Sequence, residues 1–343
     1  MVSSILQSKA ILAQHIVWPP IVICLISFSI ATLAVGLLAH SRASRLALDR
    51  PNTRSLHSLP VPRTGGIGLL LGVVAGFWYA TPRLPITLWL AAAILFCVSL
   101  LDDLHGLSAS VRLLFHVMAA TLACAALLGT AEPILFFVCV VLAIVWMCNL
   151  YNFMDGSDGL AGGMTFFGFL SYAAAALLAG SLQFALLNLA VAAAAGGFLL
   201  HNFHPARIFL GDAGSVSLGF LAAIFGIMGW MQNDWTWWFP IMVFSPFIVD
   251  ANITLLRRLL SGARIWEAHR DHYYQRLVLM GLGHRGTAIA EYALMAFSGA
   301  IALWSLALGT ASQFALFALV ISAYAALTVS IDRAWRNWQS KHA

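Results

Sequence analysis

Residues 133–160 read PILFFVCVVLAIVWMCNLYNFMDGSDGL. From Pro133 to Cys148 no side chain carries a charge. The next stretch brings Asn149, Asn152, Asp155, Gly156, Ser157, Asp158 and Gly159 together. The first half reads as a membrane-spanning helix, which needs about 20 apolar residues. The second half reads as a polar loop at its mouth. Ten more apolar runs surround this one: Trp18–Ala39, Gly65–Ala80, Ile86–Leu101, Val111–Leu128, Leu160–Ala179, Leu182–Asn202, Gly214–Met231, Trp237–Leu256, Ala288–Ala307 and Gln313–Ile331. Turn chemistry separates them, as at Thr81-Pro82, Gly129 to Pro133, Gly180-Ser181 and Gln232-Asn233-Asp234. The spacing predicts an all-α, polytopic helical bundle of about eleven spans.

Composition agrees. The chain has 343 residues, 61% hydrophobic and only 9% charged, with 18 Lys and Arg against 13 Asp and Glu. Mean hydropathy is +0.89. Soluble domains carry about 25% charge and 45–50% apolar residues, so soluble, disordered and collagen-like classes are excluded. The five Cys all fall in apolar runs and read as small buried hydrophobes. The pI near 9.1 does not indicate nucleic acid, because the basic residues are scattered through short loops.

Those basic residues set the orientation. With the loop from Arg42 to Arg63 placed in the cytoplasm, all Lys and Arg but Lys9 and Arg83 fall on that side. The positive-inside bias then predicts an N-out, C-in chain in the lipid bilayer. The whole chain, 1–343, reads as one membrane domain with cytoplasmic loops at about 40–64, 102–110, 149–159, 203–213 and 257–287. No secretory signal stands out at its start.

The acids follow the same side. Asp102-Asp103 close the third run, Asp155 and Asp158 follow the fifth, and Asp212 opens the eighth within Phe209-Leu-Gly-Asp-Ala-Gly-Ser215. A carrier would place acids near the midplane. Clustering at one surface instead favours chemistry at that surface. Asp, Asn and Gly in such loops suit Mg²⁺, which takes a few carboxylate or amide oxygens together with substrate phosphate. The Gly-Asp-Ala-Gly-Ser turn offers backbone N–H groups to an anion. A basic cluster, His269-Arg270-Asp271-His272, suits a pyrophosphate. Each feature has a plainer reading: Asp102-Asp103 as a loop cap, Asp155 or Asp158 as N-caps of the next helix, His269 and His272 as a solvated pair.

These motifs resemble the polyprenyl-phosphate N-acetylhexosamine-1-phosphate transferases. Asp49-Arg-Pro-Asn-Thr-Arg54-Ser-Leu-His57, Asp102-Asp103, Asn152-Phe-Met-Asp155-Gly-Ser-Asp158-Gly159, Phe209 to Ser215 and His269 to His272 carry the resemblance, from about Arg42 to Gly286. Two features depart from it. His-Arg-Asp-His followed by Tyr273-Tyr274-Gln275 replaces the three-histidine run of the pentapeptide translocases, and Arg112 stands where a Lys is common. The pattern is most similar to the O-antigen initiators and the undecaprenyl-phosphate GlcNAc-1-phosphate transferases.

The resemblance implies transfer of a sugar 1-phosphate from a UDP-N-acetylhexosamine to undecaprenyl phosphate, with release of UMP. This step starts lipopolysaccharide O-antigen or other cell-envelope polysaccharide synthesis in the bacterial inner membrane. It implies Mg²⁺, or Mn²⁺, on Asp212 and Asn152, with Phe209 stacking on uracil and Asp158 bonding its edge. Asp102 or Asp103 would act as base or orient the lipid phosphate. Arg112, His269, Arg270 and His272 would contact phosphates, while Arg54, His57, Asp155 and Gly159 complete the substrate site. A homodimer is expected. The competing class is a transporter of a phosphorylated sugar or lipid.

Overall fold

Each apolar run falls on a helix in the computed structural model. The structure describes residues 2–41, 47–51, 56–57, 59–81, 84–129, 132–263 and 269–342, with backbone only for 2–18. The helices are α1 (Val2–His40), α2 (Gly65–Ala80), α3 (Ile86–His105), α4 (Ala109–Leu128), α5 (Ile134–Phe153), α6 (Leu160–Leu178), α7 (Leu182–Asn202), α8 (Gly211–Met231), α9 (Phe239–Val243), α10 (Ser245–Leu260), α11 (Tyr273–Leu277), α12 (Gly283–Ser305) and α13 (Thr310–His342). Among the described residues, nine helical stretches are long and apolar enough to cross a membrane, and α2 is a shorter apolar helix. A helix is the form a spanning chain takes because it satisfies every backbone group within itself. The protein is thus a polytopic membrane helical bundle.

The boundaries differ from the hydropathy reading in an instructive way. Helix α3 runs on through Asp102-Asp103 to His105, α5 runs on through Asn149 and Asn152, and α8 begins at Gly211. Polar side chains at the mouth of the bundle do not end a helix whose last turns have left the hydrocarbon. Asp102, Asp103 and Asp212 therefore sit on helix ends, while Asp155 and Asp158 stay in the turn between α5 and α6. The ninth run is broken in two. Pro246 removes an N–H and crowds the carbonyl four residues back, that of Met242. The Ser245 hydroxyl donates to that carbonyl instead, at 2.7 Å. The run read from Ala288 starts earlier, at Gly283, after a π turn over Val278–Leu282.

Helix α8 lies at the centre, against α2, α3, α5 and α6. The apolar windows of α6, α7 and α8 are 67–72% buried, whereas those of α1 and α13 are 22% and 17% buried and so form the lipid-facing edge. Small residues set the closest approach: a Cβ on Gly66 of α2 would lie 2.4 Å from the Gly214 Cα of α8. The one sheet among the described residues is a two-residue antiparallel ribbon, β1 (Leu48–Asp49) with β2 (Val61–Pro62). It lies at the mouth of the bundle. From it residues 62–66 run beside 209–210, with the Phe209 N–H donating to the Pro62 carbonyl at 2.7 Å and the Gly65 N–H to the Phe209 carbonyl at 2.9 Å.

Candidate active site

Four helix ends meet at the mouth of the bundle. The last turn of α3 brings Asp102 and Asp103, α4 brings Arg112, the last turn of α5 brings Asn152, and the first turn of α8 brings Asp212 and Ser215. Asp212 and Ser215 share a face because they are three residues apart on a helix. The Asn152 amide donates to Asp212 Oδ1 at 2.8 Å and to Ser215 Oγ at 3.2 Å. Arg112 Nη1 donates to Asp102 Oδ2 at 2.8 Å and to Asp212 Oδ2 at 3.3 Å, bridging the two acids. The Leu107 N–H, just beyond α3, donates to Asp102 Oδ1 at 2.5 Å and fixes that side chain.

Asp103 has a different position. Its oxygens accept the N–H groups of Asp212, at 3.0 Å, and Ala213, at 2.9 Å. It is buried, with Arg63 Nε 4.0 Å away. Asp103 therefore caps α8 from another helix, and those two N–H groups, read from sequence as an anion cradle, already hold an anion. Gly211 makes this approach feasible. Its φ is +74°, and a Cβ there would lie 2.2 Å from the Arg63 carbonyl and 2.9 Å from Asp103 Oδ2.

Beside the cluster lies a polar cavity of about 210 Å³. Its lining includes His57, Asp155, Asp158, Phe209, Gln275 and His284. Phe209 meets the His57 ring edge-on at 5.0 Å, and His57 lies 3.7 Å from Asp49. His204 Nδ1 donates to Asp158 Oδ2 at 2.6 Å, and the Ala206 N–H donates to the same oxygen at 3.1 Å. Gly159 has φ +76° and passes its N–H to Asn202 at 3.0 Å. Neither Asp155 nor Asp158 caps α6, which starts without a side-chain cap. Burial, then the charges of Asp212, Asp103 and Asp49, push the Asp155 carboxyl well above the usual carboxylate range.

The histidine segment turns inward. His272 Nδ1 donates to Asp250 Oδ1 at 3.0 Å, and His272 is 4% exposed, so the contact expected with a phosphate is made with a buried carboxylate instead. Asp250 also accepts the N–H groups of Tyr273 and Tyr274, both at 3.0 Å, capping α11. His269 stacks on His272 at 5.0 Å. Burial first, then the neighbouring charges of His272 and Arg258, pull the His269 ring down to about 4, so it is neutral at pH 7. Arg270 is exposed, and Arg54 lies outside the described residues.

The sequence pattern marks Arg63 only as part of the first-loop motif Pro62-Arg63-Thr-Gly65-Gly66, and it gives Arg63, His204, His284 and Asp250 no role in the site. The one signal available was for Asp250, an acid inside an apolar run.

Among the described residues no three His, Cys, Asp or Glu side chains close around one point. A closed protein cage is therefore absent from that region. An open shell of Asp212, Asn152 and substrate phosphate suits Mg²⁺, which retains water and phosphate ligands. The charges of Asp212, Asp103 and Asp49 act on the Asp155 carboxyl in the same direction, and a cation held there would oppose them.

Residues 85–230 match the family described as Glycosyl transferase family 4. A probable undecaprenyl-phosphate N-acetylglucosaminyl 1-phosphate transferase of Bacillus subtilis is 32% identical over 299 residues, covering 80% of this chain and 82% of that protein. A decaprenyl-phosphate N-acetylglucosaminephosphotransferase of Mycobacterium tuberculosis is 28% identical, covering 85% and 84%. An undecaprenyl-phosphate alpha-N-acetylglucosaminyl 1-phosphate transferase of Yersinia pestis is 28% identical, covering 91% and 92%. With its acids, amide and arginine gathered at one mouth of a membrane bundle, the chain belongs to glycosyl transferase family 4, the polyprenyl-phosphate N-acetylhexosamine-1-phosphate transferases.

Proposed function

We propose that this protein transfers an N-acetylhexosamine 1-phosphate from a UDP-sugar to undecaprenyl phosphate, at the cytoplasmic face of a bacterial inner membrane, and releases UMP. The observation that carries the reading is Arg112 bridging Asp102 and Asp212 at the membrane mouth, next to a polar cavity. Both substrates are anionic, so the site must hold them in line and screen their repulsion. A lipid head arriving from the bilayer meets Arg112, whose side chain is 38% exposed. The nucleotide occupies the cavity, with uracil between Phe209 and Asp158.

A lipid phosphate oxygen attacks the β-phosphorus, and the bond to the α-phosphate oxygen breaks with UMP as leaving group. A phosphoester has a second pKa near 6, so the nucleophile is mostly ionised at pH 7. Asp102 then serves to aim Arg112 and the lipid phosphate more than to remove a proton. Asp212 and Asn152 would hold Mg²⁺, which when bound neutralises pyrophosphate charge. Direct attack is preferred to a phosphorylated Asp212. The product would start O-antigen or a related envelope polysaccharide.

The transporter reading loses support from Asp250, an acid it would need within the membrane, because that carboxylate is spent on the cap of α11. The test is UMP release from purified enzyme with undecaprenyl phosphate, Mg²⁺ and a panel of UDP-sugars. Labelled substrate crossing vesicles with no UMP formed would overturn the proposal.

A further inference from the structure

We propose that His284 is the positioning residue of the cavity, a single imidazole that clamps three separate segments around the nucleotide. The inference rests on the reading of that cavity as the donor site. His284 stands in the first turn of α12, beyond the Gly281 kink and outside residues 85–230. Its Nε2 lies 3.1 Å from the Leu56 carbonyl. A carbonyl only accepts, so Nε2 carries the hydrogen and Nδ1 of the neutral ring is an acceptor. Nδ1 faces two donors, the Ser157 hydroxyl at 2.9 Å and the Asp158 N–H at 3.4 Å. One tautomer thus joins the first loop to the turn between α5 and α6.

The ring face makes the third link. His284 stacks on His204 at 5.4 Å with the planes 8° apart, and His204 in turn holds Asp158 Oδ2. Asp158 is therefore gripped by its backbone from one imidazole and by one oxygen from the other. Oδ1 lies 3.8 Å from His284 Nδ1, too far for a hydrogen bond to a ring nitrogen that is itself an acceptor, and so can accept from a ring N–H of the base. The same turn is tied at both sides by the same part of the chain: the Tyr274 hydroxyl donates to the Phe153 carbonyl at 3.1 Å and the Tyr292 hydroxyl to the Gly159 carbonyl at 2.7 Å. Those two tyrosines reach only the edges of the turn. His284 alone lines the cavity and also holds Leu56.

A clamp on the donor pocket changes donor binding more than the chemical step. In His284→Ala the KM for the UDP-sugar rises about 10- to 100-fold, the loss of two or three hydrogen bonds. The kcat falls less than about threefold, and the KM for undecaprenyl phosphate stays within about twofold. His284→Asn keeps an acceptor near the Nδ1 position, and His284→Gln keeps a donor near Nε2, so each restores part of the loss. Ser157→Ala, which cuts one link from the other side and leaves the imidazole in place, raises the donor KM about threefold. UMP affinity measured by calorimetry follows the same order. A donor KM unchanged in His284→Ala overturns the inference. So does a loss of kcat and thermal midpoint with no change in donor KM across the four variants. If the wild-type enzyme releases UMP from no UDP-sugar, the donor-site reading itself fails, and the clamp fails with it.

Discussion

Asp103 and Asp250 occupy matching positions in two halves of the site. Each sits in a helix at the mouth of the bundle, is buried, and accepts two consecutive N–H groups at the start of another helix, Asp103 from α8 and Asp250 from α11. Each suits its place, since the first N–H groups of a helix lack partners and the positive end of the helix dipole favours an anion. The residue next to the cap differs. On α8 it is Asp212, whose side chain turns to Arg112 and Asn152 at the open mouth. On α11 it is His272, whose ring turns back to the capping acid itself. A cap from a distant helix can present a side chain or absorb it. The acid half presents, and the histidine half absorbs.

The sharpest way to break that contrast is to remove charge without changing shape on the presenting side. Asp212→Asn should lower UMP release by about 10³-fold while the thermal midpoint in detergent stays level or rises. If turnover stays within about tenfold of wild type, the acid cluster is structural and the two halves do not differ in kind. Next in size are the caps themselves. Asp103→Ala and Asp250→Ala each leave two buried N–H groups without their acceptor, for a loss of about 2–4 kcal/mol in either protein. Asp103→Ala should also impair turnover, because Asp212 rides on the helix it caps. Asp250→Ala should act first on stability and on donor binding. Equal effects of the two on kcat at saturating substrate would erase the distinction.

Most of this bundle is legible in the sequence because hydropathy and length decide a spanning helix almost alone. Gly65–Ala80 and Leu182–Asn202 fall where the runs place them. The ends are less legible. A hydropathy run stops at Leu101 or Cys148, whereas a backbone stops only where its hydrogen bonds do, at Gly106 with φ +69° or after Phe153. Asp102, Asn152, Asp158 and Asp212 could be picked out as candidates because Asp, Asn and Gly gather beside membrane runs, and Phe209 because it stands in the same motif as Asp212. Asp103 could not be separated from Asp102, because nothing local shows that an acid will cap a helix 109 residues away. His272 has the same limit: its partner Asp250 is 22 residues back, in a run that reads as apolar, so the Nδ1 contact could not be read from the sequence. By its sequence His284 falls in the loop read at 257–287 with no motif around it, and only the folded chain sets it on α12 with Leu56 and Ser157 on either side of its ring.

The smallest expected effects are in pH dependence, and their signs are opposite in the two halves. Asp155 binds its proton more tightly folded than unfolded, because burial and the charges of Asp212, Asp103 and Asp49 disfavour the carboxylate. Its contribution to stability therefore falls as pH rises above the ordinary carboxylate range, near 3.9. Asp155→Asn should raise the thermal midpoint at neutral pH by about 1–3 °C in the absence of divalent cations. His269 binds its proton less tightly folded than unfolded, with its pKa pulled down to about 4 from an ordinary 6.5. The unfolded chain takes up that proton first as pH falls, so stability declines between about pH 6.5 and 4. Discounted for solvent screening of a partly exposed ring, the loss is of order 1 kcal/mol. Thermal unfolding in detergent across pH 4–8 reads both terms. His269→Gln should flatten the rise in stability between about pH 4 and 6.5, while Asp155→Asn should remove the opposing fall that begins near pH 3.9 and so steepen that rise. If His269→Gln leaves that rise as steep as wild type, the ring is not held neutral in the fold. It would then be free to carry a charge to a phosphate, and the histidine half would present a side chain after all.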